Sequence, residues 1–185
     1  INTSTRPFPG PAHAIFARLN ADGSLDMTFG SGGTTLVDFG GGLESAAVSL
    51  APQEDGKLVA VGLVQQDADS VANMALMRLT ADGILDLLFD GDGMVVVDFD
   101  GSTAVANAVA IQPDGAIVAA GSSYSTASGF LDATLVRVNA DGSLDSTFGD
   151  GGRSVINLGS ASVLNSIVVR ADNSLAATGY RGNSE

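Results

Sequence analysis

Short apolar runs alternate with glycine-rich turns along the chain, and none approaches the roughly 20 residues that a membrane-spanning helix needs. A turn of the hairpin type, Pro113-Asp114-Gly115, separates two of these runs. We expect strands at Met94 to Asp98, Ala106 to Gln112, Ala116 to Gly121 and Ala133 to Val138. The pattern therefore predicts units of four short antiparallel strands.

The units repeat in tandem. The segment NADGSLDMTFG at 20–30 recurs as TADGILDLLFD at 80–90 and as NADGSLDSTFG at 139–149, after 60 and then 59 residues. A second motif, DGKLVAVG at 55–62, recurs as DGAIVAAG at 114–121 and DNSLAATG at 172–179. Tandem four-stranded units are typical of β-propellers, whose sheets pack against both neighbours. We predict an all-β, propeller-like array of three four-stranded antiparallel blades, with a β-solenoid or a sandwich as alternatives.

The repeats are offset from the ends of the sequence, and this offset predicts an exchanged strand. We divide the chain into a Pro-rich lead segment (1–12), an orphan last strand (13–19), repeats at 20–79 and 80–138, and an incomplete repeat at 139–185. The third copy ends before its own last strand, and three blades are fewer than the roughly 4 to 8 of a closed ring. We therefore expect a strand-exchange segment that completes a blade in its own chain or in a neighbouring chain, formed by Ile15, Phe16, Ala17, Arg18 and Leu19.

The repeated motif is similar to a known one. The pattern R-x-N-x-D-G-S-L-D-x-T-F-G-x-x-G at 18–33 and 137–152, with D-F and D-G-K-[IL]-V-x-x-G after it, resembles the delta-60 repeat of bacterial exported and cell-surface proteins. The resemblance covers nearly all of the chain after residue 13. It implies a β-propeller-like architecture and an extracellular or bacterial cell-surface location, and it implies no reaction. The middle copy departs from the pattern at Leu88 and Asp90, and the third copy lacks the D-F pair.

Charge and composition narrow the partners. With 8 basic and 21 acidic residues the formal charge is -13, so nucleic acid and anionic membranes are repelled. The absence of Cys removes disulfides, thiolate nucleophiles and Cys-ligated zinc. We expect the partners to be copies of the chain or neighbouring repeats, with surface glycans as a further candidate.

The acidic turns of the repeats are candidate Ca²⁺-binding sites. Oxygen side chains recur at i, i+2 and i+6 around a glycine, which resembles the spacing of calcium loops, although no bidentate Glu closes any of them. An Asp-Gly turn whose aspartate caps a short helical turn explains the same residues without metal. The candidate Ca²⁺ ligands are Asn20, Asp22, Asp26, Asp82, Asp86, Asn139, Asp141 and Asp145.

Arginines stand at one position of every unit: Arg18, Arg78 and Arg137. We interpret them as structural forks that tie a strand to a turn carboxylate, with Asp26, Asp86 and Asp145 as the nearest candidates. Longer loops with differing sequences are expected at matching places between the third and fourth strands, at 65–73 and 122–132. If the chain has a recognition surface, these loops are the first choice, since a rigid scaffold usually displays binding residues on divergent loops.

Catalysis has little support in the sequence. His13 is the single histidine, and no nucleophile elbow accompanies it. We predict a non-catalytic structural or adhesive scaffold module that self-associates by strand exchange between blades. A calcium-dependent or carbohydrate-binding propeller and a glycan-acting hydrolase are the alternatives.

Overall fold

The computed structural model describes residues 12–38, 44–65 and 71–182. The lead segment up to residue 11 and the middle of the variable segment 65–73 lie outside the described residues. The strands, in chain order, are β1 Ala14–Ala17, β2 Thr34–Val37, β3 Glu44–Pro52, β4 Leu58–Gln65, β5 Asn73–Leu79, β6 Met94–Val97, β7 Ala104–Ile111, β8 Ile117–Ser125, β9 Phe130–Val138, β10 Arg153–Ile156, β11 Ser162–Val169 and β12 Leu175–Arg181.

In the part of the chain that the structure describes, the strands form four antiparallel sheets. Two are four-stranded, in the orders β3-β4-β5-β6 and β7-β8-β9-β10, and two are two-stranded, β1-β2 and β11-β12. The prediction of an all-β array of four-stranded blades is confirmed. The described residues form twelve strands, which is the number in three four-stranded blades. The arrangement is two full blades flanked by two half blades. Within the described ranges no helix is long and apolar enough to cross a membrane.

The blades begin at a different strand from the one that the sequence pattern indicates. The run at Met94 to Asp98 opens a unit in that prediction, but β6 pairs with β5 and is the outer strand of the preceding blade. The cause is the turn between them, where Arg78 N–H donates to Gly93 O and Asp86 N–H donates to Arg78 O. This compact turn returns the chain alongside β5.

The half blades correct the expectation of a single orphan strand. Because β1 pairs with β2 from Ala14↔Val37 to Ala17↔Thr34, the segment 13–19 belongs to a hairpin that corresponds to the third and fourth strands of a blade. The pair β11–β12 corresponds to the first and second strands. Within the described ranges, the last unit therefore comprises only the first two strands of a blade, and the first unit comprises only the last two.

The hydrophobic core lies between successive sheets. One cluster joins the full blades and includes Val61, Leu76, Ile117 and Val136. A second joins β1–β2 to the first full blade, and a third joins the second full blade to β11–β12. Each full blade thus buries both of its faces, which is the packing expected of a repeat array.

The last glycine of the second motif has a steric role. The pairing of the first two strands of each blade shifts register at a β-bulge, for example between Ala106 and Ala108. A Cβ on Gly121 would lie 1.9 Å from Val105 O, and the equivalent glycines, Gly62 and Gly179, are equally close to a backbone carbonyl. The bulge therefore requires a residue without a side chain at this position.

We predict that Gly121→Ala lowers the free energy of unfolding by about 3 kcal/mol, the upper end of the range for overpacking, because the obstacle is backbone. The control is Gly129→Ala, where a Cβ meets nothing within 4 Å and φ is +74°. That variant should lose only about 1 kcal/mol from its left-handed backbone. Chemical denaturation measures both, and equal losses would contradict the bulge explanation.

Candidate functional site

Each repeat arginine is held by groups of its own repeat, which from here on means the blade or half blade that contains it. The guanidinium Nε donates to the aspartate eight residues later, at 2.8 Å for Arg18 and Asp26 and at 2.8 Å for Arg78 and Asp86. Arg137 makes the same bond at 2.7 Å. Each guanidinium also lies over an aromatic ring, at 5.0, 4.6 and 4.7 Å from the ring centres of Phe29, Phe89 and Phe148. We call this set of three residues the joint of a repeat.

Local contacts lower the pKa of the joint carboxylates and keep them ionised. The Thr28 hydroxyl and amide both donate to Asp26 Oδ1 and, with Arg18, hold the pKa of Asp26 below its usual range. The hydroxyl and amide of Thr147 act in the same way on Asp145. Burial of Asp86 acts to raise its pKa, but the Leu88 amide, Lys57 and Arg78 together lower it. The arginines therefore face charged partners at neutral pH.

The joint also binds the following repeat. Arg18 Nη1 donates to Ala81 O at 2.5 Å, and Arg78 Nη1 donates to Ala140 O at 2.5 Å. These carbonyls belong to the Asp-Gly turn that follows the third strand of the next blade. The backbone adds a second bond at the same place, from Gly30 N–H to Asp82 O and from Asp90 N–H to Asp141 O, both at 2.7 Å. The arginines of the first two joints thus connect neighbouring blades by hydrogen bonds.

The glycine of the docked turn is fitted to the joint. Gly83 has φ +80°, and a Cβ there would lie 2.7 Å from the Phe29 ring. Phe29 and Phe89, which receive these turns, are fully buried. The sequence predicts turns at the Asp-Gly pairs, but it does not predict this contact between repeats. Arg, Phe and Asp-Gly occur together in all three copies, but this co-occurrence does not show which turn meets which phenylalanine.

The third joint has no turn on it. Arg137 bonds Asp145 and Thr147 as its counterparts bond theirs, but within the described ranges no carbonyl accepts from its Nη1 and none from Gly149 N–H. Phe148 is only partly buried. At the other end of the array, a Cβ on Gly23 of the first turn would meet nothing within 4 Å. One joint is therefore empty and one turn is undocked.

Comparison with protein families agrees with this architecture. The family described as "Domain of unknown function (DUF5122) beta-propeller" matches residues 10–29, 53–89 and 112–148, just over half of the chain. The chain belongs to this β-propeller family. Each matched segment of the DUF5122 propeller ends on the phenylalanine of a joint. No curated protein matches the chain.

Seven of the eight predicted calcium ligands of this DUF5122 propeller, all except Asp82, have side chains in the hydrogen bonds that the structure shows. Asp22 Oδ1 accepts from the Ser24 amide and hydroxyl, and Asp141 Oδ1 accepts in the same way from Ser143. Asn20 and Asn139 each donate to the serine of their own turn. Among the residues that the structure describes, no group of three or more His, Cys, Asp or Glu side chains could hold a metal ion. Calcium binding stays a prediction that these contacts do not support.

The other candidate positions are not brought together. His13 Nδ1 lies 3.9 Å from Asp38 Oδ1, and both side chains are partly exposed. The variable segment 122–132 is mostly strand, because β8 extends to Ser125 and β9 begins at Phe130. Asp132 within it is buried. The prediction of a loop over 122–132 is wrong, because only residues 126–129 connect the two strands, and a role of the segment in recognition stays a prediction.

We predict that Arg78→Ala lowers the free energy of unfolding by about 3 kcal/mol, the lower end for breaking a buried ion pair. The lower end applies because Lys57 Nζ, 3.2 Å from Asp86, still faces that carboxylate. Arg170, whose residue is exposed, supplies the control Arg170→Ala, which should leave stability unchanged. Denaturant titration compares the two variants. An Arg78→Ala protein as stable as the control would contradict the role of Arg78 in connecting neighbouring blades.

Proposed function

We propose that this chain is a non-catalytic structural module of a bacterial extracellular or cell-surface protein, a delta-60-type propeller unit that self-associates through its open blade edges. The observation that carries the proposal is the pair of half blades. Within the described ranges, β1 and β12 each pair with another strand on one edge only. An unpaired strand edge is a template for pairing with another chain.

The burial of the strands supports this role. In the full blades the second strands, β4 and β8, are largely buried. In β12, the corresponding strand, every residue after Leu175 is exposed. The second strand of the blade is thus buried in two repeats and exposed in the third. This difference favours β12 as a surface that another strand or blade covers.

The use of the repeated polar residues also favours a structural role. The arginine and aspartate of each repeat bond each other, and in the first two repeats the arginine also bonds the following repeat. They hold blades together rather than meet in one cleft. The extracellular or cell-surface location rests on the delta-60 resemblance, and calcium and glycan binding are alternatives that no contact favours.

Sedimentation velocity over a wide range of protein concentration tests the proposal. The sedimentation coefficient should rise with concentration, and it should rise more at physiological than at low salt, since a charge of -13 on each copy opposes association until it is screened. A chain that sediments as a monomer under all of these conditions would contradict self-association.

A further inference from the structure

We propose that one copy of the chain completes another head to tail: residues 15–23 of a second copy pair with β12 and dock their turn on the empty third joint. The inference rests on the proposed self-association and specifies its partner, its register and its contacts. The resulting blade has the order β11-β12-β1-β2, with the last two strands from the second copy. Three separate features of the structure support this arrangement.

The first feature is the register between second and third strands, which is the same in both full blades. Val59 lies opposite Arg78 in one and Val118 opposite Arg137 in the other. Alignment of the repeats places Ala176 opposite Arg18 of the second copy. The glycine of the bulge, Gly179, then lies opposite Ile15, as Gly62 lies opposite Ala75 and Gly121 opposite Thr134.

The free backbone groups match this register. Arg18 N–H donates to Gly33 O on the β2 side, so the amide of the preceding residue, Ala17, points to the open edge. Arg170 N–H donates to Ser174 O in the β11–β12 hairpin, and the same alternation directs the amide of Ala177 to its open edge. Ala17 and Ala177 are opposite each other in the proposed pairing, so each finds a donor and an acceptor.

The second feature is an apolar cleft beside β1. A cavity of about 180 Å³ is bounded by residues 15–17 of β1 and 47–50 of β3, which is the place that a second strand occupies in a full blade. Leu50, on its wall, is 51% exposed, although its counterpart Ile167 is only 7% exposed. The exposed side chains of β12, among them Ala176 and Tyr180, supply the missing cover.

The third feature is the empty joint, which lies where the turn of the second copy arrives. In both internal joints the turn that follows the third strand bonds the arginine of the preceding blade. When β1 of the second copy becomes that third strand, its turn at 20–23 reaches the preceding blade, which carries Arg137. By the same repeat alignment, Ala21 O accepts from Arg137 Nη1, Asp22 O accepts from Gly149 N–H, and Gly23 packs on Phe148.

One contiguous segment therefore fills the unpaired edge and the empty joint together. The contact is heterologous, since the β12 side of one copy meets the β1 side of the next, and it leaves one open end of each kind. Assembly should therefore continue beyond a dimer.

Two proline variants test the strand pairing. Ala17→Pro and Ala177→Pro each remove an amide that points to an open edge, a position where proline is tolerated in a strand. Circular dichroism and melting should show both chains folded as the wild type is. Each variant alone should stay a monomer, because one of its two surfaces is blocked. An equimolar mixture should form a 1:1 dimer and nothing larger, since only one competent surface of each kind remains.

A substitution pair tests the docked turn. Gly23→Asn keeps a residue that tolerates positive φ, and its Cβ meets nothing within 4 Å in the free chain. In the proposed assembly this Cβ collides with Phe148 of the neighbour, as a Cβ on Gly83 would collide with Phe29. We expect it to weaken association by more than about tenfold. Gly91→Asn is the matched control, since Gly91 also has positive φ and nothing within 4 Å, and it should associate as the wild type does.

The outcomes separate this inference from the proposed function. Assembly of the wild type with the predicted behaviour of the mixture and of Gly23→Asn supports both. If neither proline variant weakens assembly, this register is wrong but self-association still holds. The same conclusion follows if the mixture of the two variants gives no dimer. A wild type that is monomeric at every concentration overturns both and assigns the open edges to other repeats.

Discussion

The guanidinium of the repeat arginine is the group on which the inter-blade geometry depends. It is fixed within its own repeat by an ionised aspartate and an aromatic ring, and it extends to a backbone carbonyl more than 60 residues away, in the next repeat. Arginine suits this position because its planar fork presents several donors in fixed directions. Each full blade is thereby positioned by the blade or half blade before it, so these parts of the array are held together by nearest-neighbour contacts.

The apolar packing and the joints act at different parts of the blade. Alanine, valine and leucine side chains fill the space between the faces of successive sheets, with small residues that allow close approach. The joints lie beyond the third strands and set the relative position of neighbouring blades through directional bonds. A further geometric constraint is the bulge between the first two strands of each blade, which lies opposite a glycine because no side chain fits there.

The repeat, the number of strands and the short hairpin turns could be predicted because each depends on residues close in the sequence. The blade boundary could not, since the turn between β5 and β6 carries no short hairpin signature and returns the chain through bonds such as Arg78 N–H to Gly93 O. The bond from Arg78 to Ala140 joins distant residues, so no local pattern reveals it. The serines after Gly121 suggested a loop, but Ser123 and Thr134 bond each other at 2.8 Å across paired strands and are buried.

In the proposed assembly, the open edges of the half blades are surfaces for pairing with another copy. Hydrogen exchange at the backbone amides of Ala17 and Ala177, followed in dilute and in concentrated protein, tests it most directly. These amides should exchange fast in dilute protein and become protected in concentrated protein, approaching the slow exchange of their counterparts Met77 and Ala60 inside the first full blade. Fast exchange of both at every concentration, while the full blades stay protected, would contradict the claim.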